Sequence, residues 1–286
     1  MAPSLRTIIE YAFISIPVYL FVLSPLLKTI APSLFSDTAS INYQSFELSD
    51  SLVIPNDNLT CPPHKFNVRI LNRAPLIVYI DGFLSEKETT HLLNEANATY
   101  KPSTIFTGTS ESFDATVRNS SKALLPRDTT VQCIESRARE FQGWQPDVYI
   151  ERLWAQKYNA GGHYTYHFDW SGDLGRRRGG RISTFMVYLD DECTGGGTKF
   201  PRLRKPKGEA WCGVLDCGDA EGVTFKPVRG NAVYWENYGA DGKGFEETWH
   251  AGLPVESGVK VGLNIWSYIL PGYTESLERQ AISQEL

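Results

Sequence analysis

The sequence predicts a mainly β protein with flanking helices, an α+β arrangement around a jelly-roll core of the double-stranded β-helix (cupin-like) type. Three features predict it. From Val148 onward, short β-rich runs are punctuated by glycine, the pattern of successive strands and turns. Before that point, two segments carry the signals of amphipathic helices, early enough in the chain to back one sheet. No internal repeat divides the chain into stacked units.

The 286 residues allow one sizeable domain plus an appendage, and the appendage is N-terminal. Tyr11 to Leu27 is a stretch of 17 residues without a charge, extended past Glu10 by Ile8-Ile9. That is the short end of the about 17–25 residues a membrane-spanning helix needs. Arg6 is the only basic side chain ahead of it, which favours an uncleaved signal anchor over residues 1–30. A cleaved signal peptide, giving a secreted protein, is the competing reading. Arg6 and the amino terminus barely outweigh Lys28, so the flanking charges set the orientation weakly.

Residues 31–60 read as a stalk, since Ser33 to Asn58 is rich in Ser, Asp, Asn and Thr. The domain, 61–286, opens with the apolar strand Leu76-Ile77-Val78-Tyr79-Ile80. Ser85 with Glu88 three residues on forms a capping-box signature for a helix through about Ala96. Val131, Ile134, Ala138 and Phe141 recur at helical spacing and predict a second helix from Thr129 to about Phe141.

A net charge of −5 argues against nucleic acid as a partner. Two local basic runs, Arg176-Arg177-Arg178 and Arg202 to Lys207, read as solvated loops; the first is close enough to the histidines discussed next to act as a flap. Asn58-Leu59-Thr60, Asn97-Ala98-Thr99 and Asn119-Ser120-Ser121 are glycosylation sequons, which with the anchor suggest an endoplasmic-reticulum membrane protein, single-pass with a lumenal domain. Cys212 and Cys217 can close a short loop, while Cys61, Cys133 and Cys193 leave an odd thiol. The C-terminal Ser-Gln-Glu-Leu resembles a lumenal retention signal only faintly.

The chemistry concentrates at His167-Phe168-Asp169. Ligands at i and i+2 of an extended strand share one face, so His167 and Asp169 can point at one ion while Phe168 packs on the other side. His250 would complete a triad of two histidines and one carboxylate, a set that leaves open positions on ferrous iron. Lys260 follows across Ala251 to Gly258, a Gly/Pro/Ser-containing segment that reads as a hairpin placing His250 and Lys260 on neighbouring strands of one sheet.

Around these residues the motifs fall in a familiar order. Tyr158-Asn159-Ala160-Gly161-Gly162-His163-Tyr164 precedes the His-x-Asp pair; Arg181-Ile182-Ser183-Thr184, Tyr188-Leu189 and Gly195-Gly196-Gly197-Thr198-Lys199-Phe200-Pro201 follow it. Then come Gly230-Asn231-Ala232-Val233-Tyr234-Trp235-Glu236-Asn237, Thr248-Trp249-His250-Ala251-Gly252, Gly258-Val259-Lys260 and Trp266. In this the chain resembles the catalytic domain of the prolyl 4-hydroxylase family of iron(II)/2-oxoglutarate dioxygenases, over roughly Ile80 to Tyr268.

The resemblance implies Fe(2+), 2-oxoglutarate as co-substrate and L-ascorbate, with release of succinate and carbon dioxide as a substrate carbon is hydroxylated. It implies metal ligation by His167, Asp169 and His250, and a Lys260 that holds the far carboxylate of 2-oxoglutarate. Tyr158 and Thr198 would add hydrogen bonds, Trp266 would wall the pocket, and Tyr164 and Arg181 would line the peptide side. Plainer roles stand beside these: Tyr158 and Trp266 as core, Thr198 as a turn residue, Arg181 as a framework ion pair. His163 reads as outlying or supporting, and His64 and His91 as structural or exposed. The family usually has Gln at His163, an aromatic at Val261 and Cys-Pro at Leu253-Pro254; these departures touch no ligand but loosen inference about the substrate.

The expected substrate is peptidyl-proline, which in an extended segment is preorganised as polyproline II and cheap to order. A small metabolite as substrate and a non-catalytic jelly-roll binding module are the alternatives. Self-association and a disulfide-isomerase-like partner are not determined by the residues.

Overall fold

Two antiparallel sheets face each other across an apolar layer, and two helices cover the outer face of the larger sheet. The computed structural model describes residues 51–270 apart from 57, 107–110, 144, 146 and 175–178. In chain order the main elements are β1 (Asn67–Arg73), β2 (Leu76–Asp81), α1 (Glu86–Asn97), β3 (Arg118–Asn119), β4 (Ser121–Leu124) and α2 (Thr129–Phe141). There follow β5 (Val148–Glu151), β6 (Trp154–Asn159), β7 (His163–His167), β8 (Gly180–Asp190), β9 (Cys193–Gly195) and β10 (Thr198–Phe200). The last four are β11 (Val223–Phe225), β12 (Ala232–Glu236), β13 (His250–Gly252) and β14 (Val255–Ile269).

The larger sheet runs β1-β2-β12-β8-β14-β6-β4, with β5 and β9 also paired to β14; the smaller runs β11-β10-β13-β7-β3. Strands adjacent in the sheets are therefore mostly not adjacent in sequence, as a jelly roll requires.

Alternation along the strands of the larger sheet sorts its side chains into two layers. Val78 and Ile80, Phe185, Val187 and Leu189, and Val261, Leu263 and Ile265 pack with Leu92, Ala96, Ile134 and Ala138 of the helices. Their neighbours Ile77, Tyr79, Met186, Tyr188, Val233 and Trp235 face inward against Phe200, Val223 and Phe225 of the smaller sheet. Each such fully buried side chain contributes about 1.5–3 kcal/mol. The inner layer is also where the polar residues of the site stand, because Thr184, Lys260 and Trp266 share the parity of Met186 and Tyr188 or of the positions they pair with.

The helices begin where the sequence places them. Ser85 caps α1 reciprocally with Glu88, whose Oε2 accepts from the Ser85 backbone N–H at 2.8 Å. Asp128 caps α2 by accepting from the Val131 N–H at 2.9 Å. Arg137 of α2 reaches both Glu88 (2.7 Å) and the Phe83 carbonyl (2.7 Å), locking the two helices together.

Three expectations change. The domain does not open at Leu76: β1 precedes it as an edge strand whose Val68 and Ile70 are exposed, so its apolar alternation signals no core. The expected stalk gives up its end to the fold, since Leu52–Val53 pairs with β5 and Val53 is buried. His250 and Lys260 are not on neighbouring strands of one sheet. β13 belongs to the smaller sheet and β14 to the larger, and Leu253-Pro254 carries the chain between them. Proline lacks the N–H that a hairpin ladder would use, and backbone bonds from Leu253 to Gly197 and from Val255 to Gly162 hold the crossing in place.

Cys61 and Cys133 form a disulfide spanning 72 residues, Cys212 and Cys217 close a short loop, and Cys193 is free. No helix among the described residues is long and apolar enough to cross a membrane. The expected anchor, most of the expected stalk and the Arg176 to Arg178 run lie outside the described residues.

Candidate active site

β7 and β13 pair so that His167 and His250 stand directly opposite, with ring centroids 4.3 Å apart. β7 ends at His167, and a bend just beyond it turns Asp169 back beneath the two rings. Phe168 points the other way, against Trp170 (4.4 Å) and Trp249 (4.6 Å). Asp169 Oδ1 is 3.8 Å from His167 Nε2, and Oδ2 is 3.9 Å from His250 Nε2. With one ligand atom taken from each of His167, Asp169 and His250, all three lie within 4.8 Å of one another, a cluster of the size that a single metal ion gathers.

The tautomers suit it too. His167 Nδ1 donates to the Thr165 carbonyl and His250 Nδ1 to the Thr248 carbonyl, each at 2.8 Å. A carbonyl only accepts, so Nδ1 is the donor in both rings and Nε2 is the nitrogen turned towards Asp169 and available to a metal. Burial, with the His250 ring beside it, pushes His167 down to about 3 and keeps it neutral. Burial would push the Asp169 carboxyl up, but His250, His167 and Arg181 outweigh it and hold the group below its ordinary range. Phe200 and Trp235 enclose His250, with centroids at 5.3 and 4.9 Å.

Lys260 faces the same interior from β14. It is 2% exposed, and its Nζ donates to the Gly196 carbonyl at 2.5 Å. The rings of Tyr158, its cross-strand neighbour, and Tyr188 lie 5.3 and 5.6 Å from that nitrogen. Among the described residues no carboxylate pairs with it, and burial pushes its pKa down to about 8. A buried ammonium beside π faces and one carbonyl is under-compensated, and an incoming carboxylate is what would satisfy it. Gly196 is required here: its φ is +68°, and a Cβ would sit 3.2 Å from the Lys260 stem.

Thr198 and Tyr158 lie in this pocket, but each hydroxyl has a partner the sequence did not indicate. The Tyr188 hydroxyl donates to Thr198 Oγ1 at 2.9 Å, and Tyr158 donates to Gln156 Oε1 at 3.0 Å. Trp266 stands elsewhere. It pairs with Thr184, six residues and about 20 Å of strand beyond Lys260. It is thus at the metal end, with the Arg181 guanidinium stacked 3.8 Å above its ring. Arg181 also forms a two-point ion pair with Glu151 at 2.6 and 2.8 Å, which holds its charge despite burial.

Tyr164 stacks on His167 at 3.7 Å, and Arg118 covers the far face of Tyr164 at 4.7 Å. Arg118 was not singled out from sequence. It is 8% exposed, with Ser120 and the Thr104 carbonyl as partners and no carboxylate among the described residues. Only the pairing of β3 with β7 reveals it. His163 bridges the Gly161 and Thr116 carbonyls away from the metal ligands, His64 bonds the Gly82 carbonyl, and His91 bonds Asp128.

A jelly roll whose interior holds two imidazoles, one carboxylate and a buried lysine is the frame of an iron- and 2-oxoglutarate-dependent dioxygenase. Similarity to known proteins agrees. The sequence profile described as the 2OG-Fe(II) oxygenase superfamily matches residues 153–268. Prolyl 4-hydroxylase 5 of Arabidopsis thaliana is 31% identical over 209 residues, 71% of each chain. Probable prolyl 4-hydroxylase 10 of the same plant is 31% identical over 206 residues, 70% of this chain and 71% of its own. The crystal structure of the viral collagen prolyl hydroxylase vCPH from Paramecium Bursaria Chlorella virus-1, as its 2OG complex, matches with a TM-score of 0.52. It shares 27% identity over 68% of this chain and 96% of that one. The chain belongs to the 2OG-Fe(II) oxygenase superfamily and, within it, to the prolyl 4-hydroxylase family.

Proposed function

We propose that the protein hydroxylates proline within peptides, coupling that step to oxidative decarboxylation of 2-oxoglutarate to succinate and carbon dioxide. The observation that carries the reading is Lys260, a buried ammonium without a carboxylate partner among the described residues, in the same interior as the triad. His167, Asp169 and His250 would hold iron(II), which supplies the redox chemistry that activates dioxygen.

The chain's own residues then divide the work. The Lys260 ammonium binds the distal carboxylate, with Tyr158, Thr198, Tyr188 and Gln156 shaping the polar wall around it. Phe200 and Trp235 keep water from the His250 side. Tyr164, stacked between His167 and Arg118, and the Arg181–Trp266 stack line the opposite approach, where a peptide would lie. Guanidinium donors there match the carbonyl oxygens of an extended chain, and aromatic faces match proline rings. L-ascorbate is proposed as the reductant that restores ferrous iron.

An oxidising compartment, the endoplasmic-reticulum lumen, is part of the proposal, with 1–30 as its membrane anchor. Two disulfides support such a compartment. Asn58, Asn97 and Asn119, the three sequon asparagines, are all exposed.

The test is succinate release from labelled 2-oxoglutarate by the full chain with iron(II) and ascorbate, with and without proline-rich peptides. Peptide-stimulated turnover giving a product about 16 mass units heavier at proline is expected, one inserted oxygen atom. Stimulation by small molecules alone would overturn the peptide reading; silence from a folded, metal-loaded protein would overturn the enzyme reading.

A further inference from the structure

The carboxylate ligand is not held by the metal ligands alone. Thr184 donates its hydroxyl to Asp169 Oδ2 at 2.8 Å, and Thr184 Oγ1 in turn accepts from Asn237 Nδ2 at 3.2 Å. The polarity of this chain is forced. Asn237 Nδ2 also donates to the Arg181 carbonyl at 3.0 Å, and a carbonyl can only accept, so the amide cannot be turned around. Its other proton therefore goes to Thr184, and the single proton of Thr184 has only Asp169 to go to. The backbone of Asn237 is itself pinned, its N–H on the Ile182 carbonyl at 2.8 Å and its carbonyl under the Phe245 N–H at 2.9 Å.

Both residues are 0% exposed, so water does not compete. The arrangement also carries a cost, since Asn237 Oδ1 is buried without a partner among the described residues. A core built for stability alone would gain by avoiding that orphan.

We infer that Thr184, oriented by Asn237, is a positioning residue that fixes Asp169 as a single-oxygen metal ligand. The hydroxyl's hydrogen bond occupies one lone-pair site of Oδ2 and fixes the carboxylate's rotation, leaving Oδ1, 3.8 Å from His167 Nε2, as the less encumbered oxygen for the ion. A carboxylate free to rotate can offer both oxygens and close a position that the co-substrate or dioxygen needs. The inference rests on the triad being a metal centre, and the test separates the two.

Cobalt(II), a spectroscopically visible stand-in for iron(II), is titrated anaerobically into the metal-free full chain while affinity and the visible band intensity are recorded. Thr184→Val, which keeps shape and loses the hydroxyl, is expected to bind cobalt about 10- to 100-fold more weakly. Its spectrum should change in band intensity, reporting a different coordination number, in a metal-free protein that still unfolds cooperatively. Thr184→Ser should restore both affinity and spectrum. Asn237→Asp approaches from the other end: it removes the donor that aims Thr184 and should weaken binding with the same sign. Should Thr184→Val not fold, the Ser and Asn237→Asp variants decide the matter. Wild-type affinity and spectrum in folded Thr184→Val or in Asn237→Asp would overturn the positioning role while leaving the metal centre intact. Wild-type protein that takes up no cobalt would overturn the metal centre itself, and the inference with it.

Discussion

At the scale of single residues, Lys260 carries the sharpest consequences. Removing a buried charge from a matched pair costs about 3–5 kcal/mol, so Lys260→Ala should raise the KM for 2-oxoglutarate by at least about 100-fold. Initial rates against co-substrate concentration check this, and unaltered dependence would remove the assignment. His167→Ala should abolish turnover, because two ligands do not hold the ion. The lysine also sets a pH dependence. With its pKa lowered to about 8 by burial, the ammonium is lost as pH rises through that value, and KM for 2-oxoglutarate should climb above it. In Lys260→Arg the climb should vanish. The stability of the ligand-free protein runs the other way. Above about 8 the unfolded chain binds the proton that the folded one has released, so folding should strengthen with pH up to the ordinary lysine value of 10.5. Melting scans at several pH values, with Lys260→Met as the flat reference, read the sign.

At the scale of elements, stability and chemistry are separable. Ser85 caps α1, far from the triad in chain and layer, and Ser85→Ala should cost about 1 kcal/mol, a melting shift of about 2–4 °C. The kcat of that variant should be unchanged; a fall would mean that the helix layer feeds into the site. The Cys61–Cys133 disulfide closes 72 residues and ties the entry segment to α2. Its loss through Cys133→Ser should destabilise by about 2–5 kcal/mol, measured by denaturant unfolding, without altering metal affinity. Legibility at this scale followed local physics. The α1 and α2 boundaries were readable because caps and helical spacing act within a few residues. The fate of 251–258 was not, because a turn-rich segment looks the same whether it reverses within one sheet or crosses between two. The β1 strand was missed for a related reason: an edge strand can leave Val68 and Ile70 exposed, so alternation there reports no core.

At the scale of the whole molecule, binding should be visible as stability. A ligand that binds only the folded state raises its melting temperature by mass action, about 2.7 kcal/mol at a hundredfold excess over Kd. Co-substrate with a non-reactive divalent metal should therefore stabilise the protein by more than the sum of the two alone, and Lys260→Ala should lose most of the co-substrate's share. Additive or absent shifts would place the two ligands in unconnected sites. The jelly roll makes the connection possible: His250 and His167 come from one sheet and Lys260 from the other, and the ligand space is the layer between.

The residues and the family resemblance they carry predicted a β-rich fold, two helices, three candidate metal ligands and a candidate lysine for an acidic co-substrate. Those are legible because ligation demands particular residue types at close spacing, although a bend after β7, and not strand alternation, is what brings Asp169 to the side of His167. Folding alone decided that Tyr188 and Gln156 complete the lysine pocket, and that Trp266 serves the metal end. It also decided that Arg118 shields Tyr164, and that Thr184 and Asn237 hold Asp169. Such roles depend on which strands lie side by side and in what register. Register comes from packing summed over two sheets and a helix layer, and no local stretch of chain contains that sum.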